Sequence, residues 1–270
     1  AAIEQVREHI RRGDIFQANL TRRLEAALPE GFDAWSFYAR LRAANPAPFA
    51  AYLQDGATTF ACSSPERFLS LRGGMVEACP IKGPAPRDPD PARDRAQAQA
   101  LLASEKDRAE NVMIVDLMRN DLSRVCAPGS VEVPVLCGLE SYASVHHLTS
   151  VVTGTLAPGA DALDLLAATF PGGSITGAPK ERAMDIIRAI EGRDRGVYCG
   201  AIGYIGFDGD MDLNIPIRTV TLANGRATLQ AGGGVTLLSD GAAEYAETLA
   251  KASRIFEALA PFQTESPAWS

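Results

Sequence analysis

Four turn dipeptides, each bordering short runs of β-forming residues, most constrain what this chain can fold into. Asp55-Gly56 separates 49–53 from 58–62, and Gly73-Gly74 separates 67–71 from 75–79. Asp208-Gly209 closes 197–207, and Asn224-Gly225 separates 213–222 from 227–230. Such dipeptides supply the positive φ angles of tight hairpins. Stretches 131–135 and 147–156 also read as strands. Strand–turn–strand blocks outnumber strand–helix–strand alternations. The chain is therefore predicted to be α+β, with large, mainly antiparallel sheets rather than a doubly wound nucleotide fold.

Helical periodicity fills the remaining stretches. Ile3, Val6 and Ile10 share one face, and Gly13 ends that helix before an extended segment over 14–23. A helix over 33–42 stops at Asn45-Pro46-Ala47-Pro48. The four prolines within 84–95 predict a loop, and 96–125 a long helical stretch. A last helix covers 240–259. One domain is predicted over 1–259, followed by a polar tail over 260–270.

Composition excludes several function classes. With 46% hydrophobic and 22% charged residues among 270, a sizeable core can be buried. Lys+Arg 26 against Asp+Glu 33 gives a net charge of −7, which offers no basic surface for nucleic acid. No apolar run approaches the roughly 20 residues that a membrane-spanning helix needs. Ala1-Ala2-Ile3-Glu4-Gln5 shows no signal-peptide pattern. The five cysteines are odd in number and none is at C-x-x-C spacing, and there are only three histidines. That argues against zinc and for reduced thiols in the cytoplasm.

Four segments can carry chemistry. In 170–180 (Phe170 to Lys180), the Gly172–Gly177 spacing suggests a phosphate loop, but Ala178-Pro179 stands where Lys and Ser or Thr are required. What remains is a Gly- and Ser/Thr-rich turn at a helix start, with Pro179 at the first helical position. It is either an anion site or an ordinary capped turn. On 106–122, Ala109, Val112, Met113 and Leu117 form an apolar stripe, and the polar residues between them are consistent with a solvated face. On the last helix, Tyr245, Leu249, Ala252 and Phe256 read as the core face. Glu244, Glu247 and Lys251 line an adjacent stripe, either an exposed ion pair or a site. Lys82, between Ile81 and Gly83, is a nucleophile, an anion contact or a solvated loop residue.

In this order the segments resemble the chorismate-utilising enzymes. The matching stretches are Gly13-Asp14-Ile15-Phe16-Gln17-Ala18-Asn19-Leu20, Ser64-Pro65-Glu66-Arg67-Phe68, 106–124, His147-Leu148-Thr149-Ser150 and 170–180. They continue with Cys199-Gly200-Ala201-Ile202-Gly203-Tyr204, Ile217-Arg218-Thr219, Gly232-Gly233-Gly234 and 244–251. The resemblance implies that family's fold, large antiparallel sheets packed as a sandwich with helices outside, and a chorismate-binding domain over 1–259. Within the family, Pro80-Ile81-Lys82-Gly83 resembles the aminodeoxychorismate synthases; anthranilate synthases typically have Ala in place of this Lys. Two departures stand out. Pro84 replaces the usual Thr, and the family's longer N-terminal part is not in this sequence.

The resemblance also implies roles. Glu66 matches the general acid that protonates the leaving hydroxyl, and is expected to have a pKa raised by burial. Lys82 matches the lysine that adds to the ring and leaves when ammonia attacks. Neutralising a free lysine at pH 7 costs about 4–5 kcal/mol unless its site lowers the pKa. Asn19 stands where relatives that add water carry a basic lysine. Glu110 and Glu247 match ligands of Mg²⁺, with Glu244 one turn away. Arg218, Tyr204, Lys251 and the backbone of Gly232, Gly233 and Gly234 are expected to hold the carboxylates. Thr176 and His147 match site-lining positions, although a packed core histidine remains an alternative for His147.

The implied activity is conversion of chorismate and ammonia to 4-amino-4-deoxychorismate, on the way to 4-aminobenzoate and folate. No segment supplies a nucleophilic Cys with His and Glu partners, so ammonia is expected from a separate glutamine amidotransferase subunit. The alternatives are an anthranilate or isochorismate synthase, or a truncated subunit that binds chorismate without turnover.

Overall fold

The computed structural model describes residues 1–142 and 145–262, and the side chains of all of these but Pro84. The chain begins with α1 (Ala2–Arg11), β1 (Gln17–Ala27), α2 (Ala34–Ala44), β2 (Phe49–Asp55) and β3 (Thr58–Ser64). It continues with β4 (Arg67–Arg72), β5 (Met75–Ala78), β6 (Ile81–Pro86), α3 (Pro91–Ala103) and α4 (Glu105–Ser123). Next come β7 (Glu132–Ser141), β8 (Val145–Thr155), α5 (Ala162–Thr169), β9 (Gly177–Ala178) and α6 (Lys180–Glu191). The last elements are β10 (Ile202–Ile205), β11 (Met211–Asn214), β12 (Thr219–Ala223), β13 (Arg226–Val235) and α7 (Gly241–Leu259). The fold is α+β, and every strand pairing described in register is antiparallel.

The chain divides into two compact units. The first comprises Ala1–Glu66, Ile175–Ile202 and the residues from Ile215 on; the second comprises Arg67–Ser174 and Gly203–Asn214. The first unit holds a six-stranded sheet in the order β2-β3-β12-β13-β1-β9. Its β12–β13 hairpin turns at Asn224 and Gly225, both with positive φ (51° and 68°), as the Asn-Gly pair predicts. α7 packs on β13 and α2, around Phe37, Leu41, Leu229, Ile255 and Leu259. Burying each such side chain contributes about 1.5–3 kcal/mol. A second cluster joins α1 and α6 to β1 through Val6, Ile15, Ala18, Ala183 and Ile187.

The second unit holds the sheet β10-β11-β4-β5-β8-β6, with β7 also paired to β8. α4 packs on β8, β6 and β7. α3 is tied down by Asp94, whose carboxyl meets Arg87 at 2.8 Å and the His146 ring at 3.0 Å. The Arg87 hydrogen bond, before any other contact, holds that carboxyl far below the usual carboxylate range.

Several elements differ from their sequence reading. The proline-rich 84–95 is not a loop: β6 runs to Pro86, and α3 starts at Pro91 behind the Asp90 cap. β6 ends the strand order, where a missing N–H costs no ladder bond, and its pairing shifts between Lys82 and Ala85. Stretch 96–125 is two helices, because Ser104 leaves the helical conformation (ψ 106°) and caps α4 through the Asp107 N–H. Stretch 213–222 is two strands in different sheets, split by Pro216 and by Arg218 at φ 50°. Strand 197–207 shrinks to β10. α5 was not foreseen; Asp161 and Asp164 form its capping box. Pro179 is the N-cap of α6, not its first residue.

Two helix faces also differ. On α7, Tyr245 and Leu249 are exposed, whereas Thr248, Ala252, Ile255 and Leu259 are buried. Both sets have i, i+4, i+7, i+11 spacing, so periodicity alone does not choose between them. On α4 the buried face carries Asn111, Ile114, Val115, Met118 and Leu122, and Val112 is exposed. The expected tail begins with a 3₁₀ turn, Ala260–Phe262, whose Phe262 ring packs on Phe32 and Phe37. Residues 263–270 lie outside the described residues. The α7 faces make a test. Ile255→Ala should cost about 2–5 kcal/mol in urea unfolding, and Tyr245→Ala less than about 1 kcal/mol.

Candidate active site

In the first unit, the β1–β13 register pairs Asn19 with Gly234, Leu20 with Gly233 and Thr21 with Gly232. A Cβ at Gly232 would run into the Leu20 carbonyl oxygen, so the ladder closes here only with glycine. A Cβ at Gly233 would point into a cluster of charged tips. It would lie 3.4 Å from both Glu244 Oε2 and Lys251 Nζ, and 3.7 Å from Glu247 Oε1. Lys251 Nζ pairs with Glu247 Oε1 at 2.7 Å and donates to the Gly232 carbonyl at 3.0 Å. Ser239 Oγ donates to Glu244 Oε1 at 2.7 Å. The structure thus brings together the triglycine, both glutamates and the lysine that the sequence singles out. Glu244 lies on the buried side of α7, as the first residue of its true inward stripe.

Glu66 follows β3 and is buried; its N–H donates to Ser64 Oγ at 3.2 Å and its carbonyl accepts from Ile215 N–H at 3.1 Å. Arg218 interacts electrostatically with it. Burial pushes the Arg218 pKa down, and the Glu66 charge opposes that shift. Arg218 adopts a left-handed backbone (φ 50°), uncommon for a residue other than glycine because its Cβ crowds the backbone there. Asn19 and Thr176 are both buried, and the Asn19 N–H donates to the Thr176 carbonyl at 2.7 Å.

In the second unit, Lys82 lies on edge strand β6 opposite Leu148 of β8. Its ammonium stands 3.9 Å from Glu110 Oε2, and both side chains are only 12% exposed. Lys106, one turn before Glu110 on α4, reaches the other carboxylate oxygen at 4.0 Å. His147, next to Leu148 on β8, is buried, with its ring edge-on to Tyr142. Tyr204 is half exposed on β10, and its hydroxyl accepts from Arg72 at 2.9 Å. Pro84 belongs to β6, and its side chain lies outside the described residues.

Three residues in or beside the matched segments gain significance only here. Gln17 is 1% exposed, and neither amide atom has a hydrogen-bond partner among the described residues. It lies two residues from Asn19 on β1, and its amide would meet a Cβ on Gly234 at 2.8 Å. Tyr198 is buried, which pushes its phenol well above the ordinary value. Asn111 donates to the Leu148 carbonyl at 3.3 Å, and its Oδ1 accepts from Ser150 Oγ. Their signal was position: Gln17 and Asn111 lie next to or near singled-out residues, and Tyr198 precedes Cys199-Gly200.

The donor chemistry fits a hard divalent ion, because Glu244 and Glu247 present carboxylate oxygens to one point beside Gly233. Among the described residues no group of three or more His, Cys, Asp or Glu converges as a ready ligand set. No helix among them is long and apolar enough to cross a membrane.

Residues 1–257 match the family described as chorismate binding enzyme. The chain is 51% identical to aminodeoxychorismate synthase component 1 of Salmonella typhimurium over 94% of its own length and 56% of the relative's. It is 48% identical to the protein of that name from Escherichia coli, with the same coverage. The crystal structure of anthranilate synthase component I from Streptococcus pneumoniae superposes with a TM-score of 0.86 at 42% identity, over 94% of this chain and 56% of that one. The chain therefore spans about half the length of the curated relatives it matches.

The neighbouring glycines separate two roles. Gly232→Ala meets backbone and should lower stability by about 1–3 kcal/mol or more. Gly233→Ala meets only flexible side-chain tips and should keep its melting temperature within about 4 °C of the parent in a thermal melt.

Proposed function

We propose a function from one premise: the chain belongs to the family of chorismate binding enzymes. The reading is that it aminates chorismate to 4-amino-4-deoxychorismate, a precursor of 4-aminobenzoate and folate. The observation that carries it is the Lys82 amine, largely buried and 3.9 Å from Glu110, at a position where a nucleophile distinguishes this reaction from its relatives.

The residues act as follows. Chorismate presents two carboxylates and an allylic hydroxyl. Arg218, Lys251 and the Gly232–Gly234 backbone hold the carboxylates, with Thr176, His147 and Asn19 lining the site. Tyr204 contributes once its hydroxyl exchanges Arg72 for substrate. Glu66 gives its proton to the hydroxyl, which leaves as water. Meanwhile the lone pair of neutral Lys82 forms a C–N bond to the ring. Ammonia then bonds to the carbon that carried the hydroxyl, the Lys82–ring bond breaks, and its electron pair returns to the amine. The extra proton on the new ammonium goes back to Glu66. Lys82 paired with Glu110 is an ammonium, so before attack it passes one proton to water, and that proton leaves to solvent. The amide of Asn19 cannot activate water, which suits amination rather than hydration.

Glu110 and Glu247, with Glu244 nearby, would hold Mg²⁺. Bound there, it would neutralise substrate carboxylate charge. Ammonia comes from a separate glutamine amidotransferase subunit, a reading supported by the "component 1" in the relatives' names. Two of the thiols here are poor nucleophiles for amide hydrolysis. Burial, reinforced by Glu77, pushes the Cys79 thiol up to about 12, and burial does the same to Cys199. None of the five cysteines is joined in a disulfide, which fits a reducing compartment such as the cytoplasm.

The likeness to an anthranilate synthase structure favours one second reading, that the amino product loses pyruvate. Incubation with chorismate, Mg²⁺ and ammonium decides between them. 4-Amino-4-deoxychorismate without pyruvate is expected; anthranilate plus pyruvate overturns the assignment. Lys82→Ala should abolish the chorismate adduct seen by intact mass and lower amination at least about 10²-fold. Unchanged turnover in that variant would contradict the lysine's role.

A further inference from the structure

β1 has two edges. One pairs with β13 from Ala18 to Ala27, but the other pairs with β9 only at Gln17 and Ala18. Beyond Ala18 that second edge has no strand beside it among the described residues: the Asn19 N–H reaches the Thr176 carbonyl, but the Asn19 carbonyl and the Thr21 N–H have no backbone partner there. An unpaired, buried backbone edge is costly, because each orphaned N–H or C=O loses its water partner. Here an ion pair takes the place of a strand. Arg195 Nη2 donates to the Asn19 carbonyl at 2.6 Å, and Glu191 Oε1 accepts from the Thr21 N–H at 2.9 Å and from its hydroxyl at 2.8 Å.

The same guanidinium reaches further. Its Nη1 donates to the Ile175 carbonyl at 2.8 Å, next to Thr176. Its Nε and Nη2 grip Glu191 in a bidentate pair at 2.9 and 2.7 Å. Gln230 Nε2 donates to the Arg195 carbonyl at 2.8 Å, which ties this hub to β13 just before Gly232. The pair is almost enclosed, with side chains 14% and 5% exposed. All three guanidinium nitrogens are engaged, in directions that only a planar fork serves at once.

We propose that Arg195, held by Glu191, is a positioning residue that fixes the spacing of three substrate-lining segments: β1 at Asn19, the turn at Thr176, and the triglycine end of β13. The assignment of those segments to substrate rests on the function proposed above. Arg195 itself touches no reacting atom. Its loss displaces several contacts made to bound substrate, so it weakens chorismate binding. A purely structural role would lower the folded fraction and leave the affinity of the folded molecules unchanged.

The test is chorismate affinity by isothermal titration on the whole chain with Mg²⁺, alongside circular dichroism and thermal melting. Arg195→Lys keeps the charge but has no fork. It is expected to fold and to bind chorismate at least about tenfold more weakly. Gln230→Met removes only the tether to the Arg195 carbonyl and should weaken binding about threefold. A folded Arg195→Lys with affinity within twofold of the parent overturns the proposal. If that variant does not fold, a folded Gln230→Met with parental affinity overturns it instead. A parent chain that binds chorismate without aminating it defeats the function proposed above and leaves this comparison intact. A parent chain that binds no chorismate defeats the positioning role itself.

Discussion

The β1–β13 ladder fixes where the acidic and basic groups of the first unit stand. Ten consecutive register pairs join the strands from Ala18 to Ala27, and a one-residue slip would send every side chain to the other face. In the observed register Gly232, Gly233 and Gly234 lie against Thr21, Leu20 and Asn19. Each glycine answers a different neighbour. Gly232 admits the backbone of Leu20, Gly233 leaves room for the tips of Glu244, Glu247 and Lys251, and Gly234 abuts the Gln17 amide. A larger side chain at Gly233 would have filled the space where the charged groups converge.

The second unit meets the same requirement, placing charge in a partly dry setting, with polar side chains. Asn111 faces inward on α4 and is fully buried, yet it hydrogen-bonds to the Leu148 carbonyl and to Ser150. The Cys137 N–H completes the set by donating to Ser150 Oγ at 2.8 Å, which uses a left-handed backbone at Cys137. A buried polar group without such partners would cost about 1–3 kcal/mol. Glu110 is the residue just before Asn111 on α4, and Leu148 is the register partner of Lys82, so this network also sets how carboxylate and amine approach each other.

Local chemistry made much of the fold legible. The hairpins at Asp55-Gly56, Gly73-Gly74 and Asn224-Gly225 and the start of α7 behind Asp240 follow from turn and capping rules that need no long-range information. The reading failed where two local patterns were equally good. Tyr245-Leu249-Ala252-Phe256 and Thr248-Ala252-Ile255-Leu259 have the same spacing; packing buries the second set, and of the first only Ala252 and Phe256 reach that core. It failed again at 84–95, where edge position made prolines acceptable within a strand, and at 213–222, where one β-like run serves two sheets. The candidate site residues were nameable because the family resemblance points to them; Gln17, Tyr198 and Arg195 were not, because burial and partners single them out rather than residue type.

By itself the sequence determined the class of fold, the hairpin positions, the family and the chemical inventory: carboxylates, amines and a run of three glycines. These depend on residue identity and on neighbours a few positions away. Only the tertiary structure decided which face of α7 and α4 turns inward, that Lys82 sits 3.9 Å from Glu110, and that Glu191 and Arg195 stand in for a missing strand beside β1. Those outcomes depend on contacts between segments far apart in the chain; Arg195 alone reaches a carbonyl 176 positions away. Periodicity within a segment carries no information about such partners, because the free energy that selects them arises only when the segments pack.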